Sequence, residues 1–270
     1  MTNNPASKSS KIEQETSGNP YKPTSSAGSD LKSKPAMESV WAYVLPFVAF
    51  MIIAMRYPDV QPDSIDDISV DWYFYLVIAQ VIVCTGLVAF FFRQIVKKFP
   101  VCVDHWGVIV GVVGVVAWIG LCELGIERKI LTAVGLESWL GERVGFNPFE
   151  QITFDGRRWA FLLFRFSLLA LVVPVIEELF LRAWFIRYME DPDWQTVSLA
   201  SLGAAGYIWS IAYGVITHPG EAIAAAAWFG MVTWLMFKTG KLWNCILAHA
   251  VTNFLLGIYI VTRDDAWHYW

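Results

Sequence analysis

The chain has 270 residues, 56% of them hydrophobic and only 16% charged, with a net charge of −4 and a mean hydropathy of +0.47. Soluble domains carry about 25% charged residues, and here the apolar residues come in long blocks rather than short alternating runs, which excludes an ordinary water-soluble core. No basic stripe marks a nucleic-acid surface, so nucleic acid is not expected as a partner.

Residues 1–36 are rich in Ser, Lys, Asn, Pro and Thr, with few large apolar side chains. Such a segment cannot offset its ordering entropy by burial, so a disordered tail is expected. It lacks the apolar core of a secretory signal. A transmembrane domain is expected over 37–270. It holds seven apolar blocks, near 39–56, 72–92, 106–122, 159–186, 196–217, 222–237 and 242–262. Most reach the ~20 residues that span hydrocarbon as a helix, and the sixth is short. Only helices or closed barrels satisfy the backbone in lipid. Runs such as Val108–Val116 show no two-residue alternation. The expected fold is therefore an all-α, polytopic transmembrane helical bundle of about seven spans, in contact with membrane lipids.

The connections suggest an orientation. Five Lys lie in the tail and five Asp in the segment 57–71, while Arg93, Lys97 and Lys98 follow block two and Lys238 and Lys241 separate the last two blocks. Positive charge marks the cytoplasmic side, which predicts an N-terminus inside and a C-terminus outside. The stretch 129–148 is partly amphipathic and suits the interface. Trp41, Trp72, Trp106, Trp159 and Trp243 stand at block ends, where aromatic belts form. Cys84, Cys102, Cys122 and Cys245 make no CxxC pair and read as packing residues.

Block four contains Glu177, Glu178 and Arg182. Each ionisable residue near a bilayer centre costs about 2.5–3.5 kcal/mol, so three so close together point to function. Glu178 and Arg182 share a helical face and can pair. Glu177 is turned about 100° away and is left as the free carboxylate. Pro174 removes one ladder hydrogen bond just upstream. A structural ion pair beside a protonated Glu explains this block alone equally well. Block seven adds His249 and Asn253, four apart on one face, and the link after block five adds His218 in a His-Pro-Gly turn. A carboxylate base, imidazoles and a neutral amide donor are the parts of an acid–base hydrolytic centre.

Three motifs stand in order: Glu177-Glu178-Leu-Phe-Leu-Arg182, Tyr213-Gly-Val-Ile-Thr-His218 and His249-Ala-Val-Thr-Asn253. Together they resemble the CAAX prenyl protease and bacteriocin-processing (CPBP) family of intramembrane proteases over roughly residues 159–258. The phrase VVPVIEELFLRAWF looks closer to the bacterial branch that accompanies exosortase sorting systems. The resemblance implies that Glu177 and His218 activate the attacking water, that His249 and Asn253 donate to the oxyanion, and that Glu178 and Arg182 support the site. It implies a membrane-anchored or lipidated substrate, a bacterial inner-membrane location and no required cofactor. The second motif departs from the usual Phe-x-x-x-His: Gly214 stands four before His218 and Tyr213 five before, an offset that a helix bulge or shifted register would absorb. Simple counting puts His218 on the far side from Glu177 and His249, which calls for a later start of span five or a recessed turn, and the short sixth block favours the recessed turn. Zinc could be held by two His and a Glu, although no HExxH is present. A non-catalytic scaffold or immunity-type protein of the same fold would tolerate loss of Glu177. A proton-coupled transporter would show a repeat, and none is seen. Arg165 reads as paired or snorkelling.

Overall fold

A computed structural model describes residues 39–58, 67–135 and 145–269. The expected disordered tail at 1–36 lies outside these, as does much of the amphipathic stretch 129–148. Among the described residues every regular element is helical.

All seven apolar blocks fold as helix. Five helical stretches are long and apolar enough to cross a membrane: 69–98, 105–133, 155–190, 219–239 and 242–261. The first and fifth blocks are shorter. Helix α1 is Trp41–Ala54 and α9 is Ala204–Thr217, each 14 residues, about 21 Å at 1.5 Å per residue. This corrects two expectations. The sixth block is not the short one, since α10 runs Ala222–Thr239 after a 3-10 turn at Pro219–Glu221. The fifth does not begin at 196, because a 3-10 turn at Leu199–Ser201 intervenes and α9 starts at Ala204. The physical reason lies in Asp191–Ser201. Polar side chains there bond their own turns, as in Asp193 N–H to Asp191 and Ala200 N–H to Ser198, rather than a helix ladder.

The remaining elements in chain order are α2 (Asp67–Lys98), α3 (His105–Leu124), α4 (Ile126–Ala133), α5 (Pro148–Gln151), α6 (Asp155–Ser167), α7 (Val173–Glu178), α8 (Ile186–Glu190) and α11 (Leu242–Val261). Helix α3 packs along α11 and α10, α1 along α2, and α9 along α10. Gly107, Gly111 and Gly114 line the α3 face toward α11. A Cβ at Gly111 would stand 2.6 Å from Val251 Cβ and 2.8 Å from the Ala248 carbonyl. Small residues at such spacing let two membrane helices approach backbone to backbone. The Thr252 hydroxyl lies 3.0 Å from the Gly111 carbonyl and fixes the register.

The starts of these two helices are also tied together. Asp104 caps α3 by accepting from Trp106 N–H, takes Lys241 Nζ at 2.9 Å, and donates its own N–H to Asn244 Oδ1 at 2.9 Å. The Lys241 hydrogen bond holds the Asp104 carboxyl down to about 2. These contacts set the depth of α11, which carries His249 and Asn253.

Candidate active site

The stretch 155–190 is not a uniform helix. It opens into a wide π-helical turn at Leu168–Val172, returns to α over α7, and widens again at Leu179–Phe185. In the first wide turn Val173 N–H bonds Leu168 O, five residues back. The next bond of that register would run from residue 174 to Leu169 O, but Pro174 has no N–H. The Leu169 carbonyl instead accepts from Asn253 Nδ2 at 2.9 Å. Asn253 therefore closes a ladder gap made by Pro174 and ties α11 to the turn that leads into Glu177. Its amino group carries a second hydrogen, and the residue lines the cavity described below.

Glu177 and Glu178 are 8% and 0% exposed, and Arg182 is 0% exposed. Glu178 Oε2 pairs with Arg182 Nη1, as the four-residue spacing implied. Its Oε1 accepts from His249 Nδ1 at 3.0 Å. A carboxylate can only accept, so His249 carries its proton on Nδ1 and turns Nε2 the other way. That nitrogen is 3.7 Å from Glu177 Oε2. The two carboxylates thus address one imidazole from its two nitrogens.

Glu177 is not the free carboxylate expected from its helical angle. Its Oε1 accepts a 2.8 Å hydrogen bond from the Tyr213 hydroxyl. Tyr213 reaches it because α9 is short and regular, with His218 N–H bonding Gly214 O in ordinary register at the helix end. No bulge absorbs the motif offset. Gly214 leaves a gap instead, and the Phe229 ring of α10 fills it so closely that any Cβ there would overlap the ring.

His218 caps the end of α9. Its Nδ1 lies 3.2 Å from the Gly214 carbonyl and 3.0 Å from the Thr217 hydroxyl; a ring that donates Nδ1–H to that carbonyl presents Nε2 as an acceptor. Its ring meets Trp118 edge-on at 5.3 Å. Glu177, His218, His249 and Asn253 all line one cavity of about 180 Å³, with apolar walls from Leu169, Val173 and Leu256. The late start of α9, at Ala204, leaves His218 at its end on the same cavity as Glu177.

Sequence reasoning missed Tyr213, Trp228 and Thr252 as site residues. Trp228 packs edge-on against His249 at 4.7 Å and donates Nε1–H to Thr252 Oγ1 at 3.1 Å. In an apolar helix a Trp or Tyr reads as packing, and its partner is invisible until the helices are assembled. Among the described residues no three His, Cys, Asp or Glu side chains are grouped to hold a metal ion. Arg165 lies beside Tyr57. Glu123 accepts from Tyr259, and Glu127 accepts from Ile223 N–H at the start of α10.

Fold and site together define an integral membrane helical bundle with carboxylate, imidazole and amide side chains gathered on one cavity between its helices. Residues 159–255, the stretch holding all three motifs, match the family model described as type II CAAX prenyl endopeptidase Rce1-like. No curated protein and no solved structure matches the chain.

Proposed function

We propose that the protein is an intramembrane glutamic endopeptidase that hydrolyses a peptide bond in a membrane-anchored or lipidated peptide. The convergence of Glu177, His218, His249 and Asn253, from three separate elements, on one small apolar-walled cavity carries this reading. A water between Glu177 Oε2 and His218 Nε2 gives its proton to the carboxylate while its oxygen attacks the carbonyl carbon. The carbonyl oxygen becomes an oxyanion, and the cavity-facing hydrogens of His249 Nε2, in its protonated form, and of Asn253 Nδ2 stabilise it. Collapse breaks the C–N bond, and Glu177 returns the proton to the leaving amine. Glu178 and Arg182 hold His249 and the helix in place. Apolar walls favour substrates that arrive from the bilayer, and a protein-sorting system of the bacterial inner membrane is a natural source of them.

The test uses purified protein in detergent and a library of quenched fluorescent peptides, each bearing one acyl or prenyl chain. Glu177→Gln keeps shape but cannot take the proton, and cleavage falls by about 10²–10⁴. Full cleavage by a folded Glu177→Gln protein overturns the mechanism. Loss of cleavage on chelation, restored by zinc, replaces it with a metal-dependent one. The sidedness belongs to the same proposal: the Lys-rich tail is cytoplasmic, and reporter fusions at Ser25 and after Trp270 read opposite sides. Both reporters on one side would refute it.

A further inference from the structure

Glu177 differs from its neighbour in how it is held. Glu178 is clamped by an arginine and a histidine. Glu177 has one close hydrogen bond, from Tyr213 at 2.8 Å, and the longer approach of His249 at 3.7 Å. We propose that Tyr213 is a positioning residue of the proteolytic centre, its hydroxyl holding Glu177 Oε1 so that Oε2 faces the cavity and His249. This rests on the protease reading above.

The tyrosine is itself rigidly held. Its ring lies 6.3 Å from Phe47 of α1, 6.0 Å from Phe180 of the second wide turn and 5.6 Å from Phe229 of α10. Three elements therefore fix the direction of one O–H. A glutamate side chain has three rotatable bonds, and a catalytic oxygen misplaced by about 1 Å can cost about 10²-fold in rate. A fixed donor on Oε1 removes that freedom and leaves Oε2 for the water. The charged and titratable groups around Glu177 are few. Its own helix and the turn after it supply Glu178 and Arg182, α11 supplies His249, and α9 supplies His218 and Tyr213. The α1 sequence Trp41–Ala54 holds no charged residue, and α10 offers the Trp228 and Phe229 rings. Tyr213 is thus the neutral donor in a ring of charged or chargeable groups. A hydrogen bond to the charged form of a carboxylate favours that form.

The test is Tyr213→Phe, which keeps the ring and its three aromatic contacts and removes only the hydroxyl. Thermal unfolding should remain cooperative, with the modest drop expected for one lost hydrogen bond. With the lipopeptide that wild type cleaves fastest, kcat should fall about 10- to 100-fold with KM unchanged. A second readout needs no substrate. In infrared spectra of 13C-glutamate-labelled protein, the carboxylate band absent from Glu177→Gln reports Glu177, and Tyr213→Phe should change its frequency. An unchanged band overturns the positioning role, whatever the protein cleaves. A wild-type protein that cleaves none of the lipopeptides would instead overturn the protease reading, and a fully active Glu177→Gln variant the glutamic mechanism, while the infrared band still reports the Tyr213–Glu177 bond.

Discussion

Arg182 is fully buried, and its Nε and Nη2 make no hydrogen bond among the described residues, so neutralising it falls to Glu178. Breaking a buried pair leaves an uncompensated charge, which costs about 3–5 kcal/mol. Glu178→Gln should therefore destabilise the fold by that order, and activity should fall in proportion to folded protein. Thermal unfolding beside cleavage checks this, and a stable Glu178→Gln protein would deny the pair its structural role. The contrast with Glu177 was partly legible in the sequence. Ionisable residues stand out in apolar blocks because each is costly there, and four-residue spacing pairs Glu178 with Arg182. The sharing of His249 by both carboxylates was not legible, since it depends on the crossing of α7 and α11. Tyr213 carried no signal at all beyond its one-residue displacement from the expected aromatic position.

The stretch 155–190 shows how an element can be read in outline and missed in detail. Pro174 announces a lost ladder bond, yet nothing local announces the wide turns on either side of α7 or the side chain that repairs the gap. Asn253 reads as an oxyanion donor from its motif and also serves the backbone at Leu169. The two duties can be separated. Asn253→Ala should cost about 1 kcal/mol by leaving a part-buried carbonyl unmet, and about 10²–10³ in turnover by removing an oxyanion donor. Adding Pro174→Ala restores an N–H five residues beyond Leu169. The double variant should regain stability and remain slow. If it regains turnover as well, Asn253 acts through the helix alone.

At the scale of the molecule, the all-α architecture was legible because apolar blocks of membrane length admit few other folds. Lengths at the edges of α1 and α9 were not, because apolar residues continue into connections whose turns are settled by local polar side chains and packing. Those two lengths carry a consequence for the surrounding lipid. Helices of about 21 Å fall short of a hydrocarbon slab of about 30 Å, and they are the helices that bring Phe47, Tyr213 and His218 to the centre. If these two helices cross the membrane, the bilayer beside them thins or their ends are drawn inward, and mismatch costs fractions of a kcal/mol per Å. Bilayer elasticity thereby becomes coupled to the geometry around Glu177. In vesicles of monounsaturated phosphatidylcholines of increasing chain length, cleavage should be fastest in the thinner membranes and decline as the acyl chains lengthen. A rate indifferent to thickness would mean that the rest of the bundle shields these short helices from the lipid.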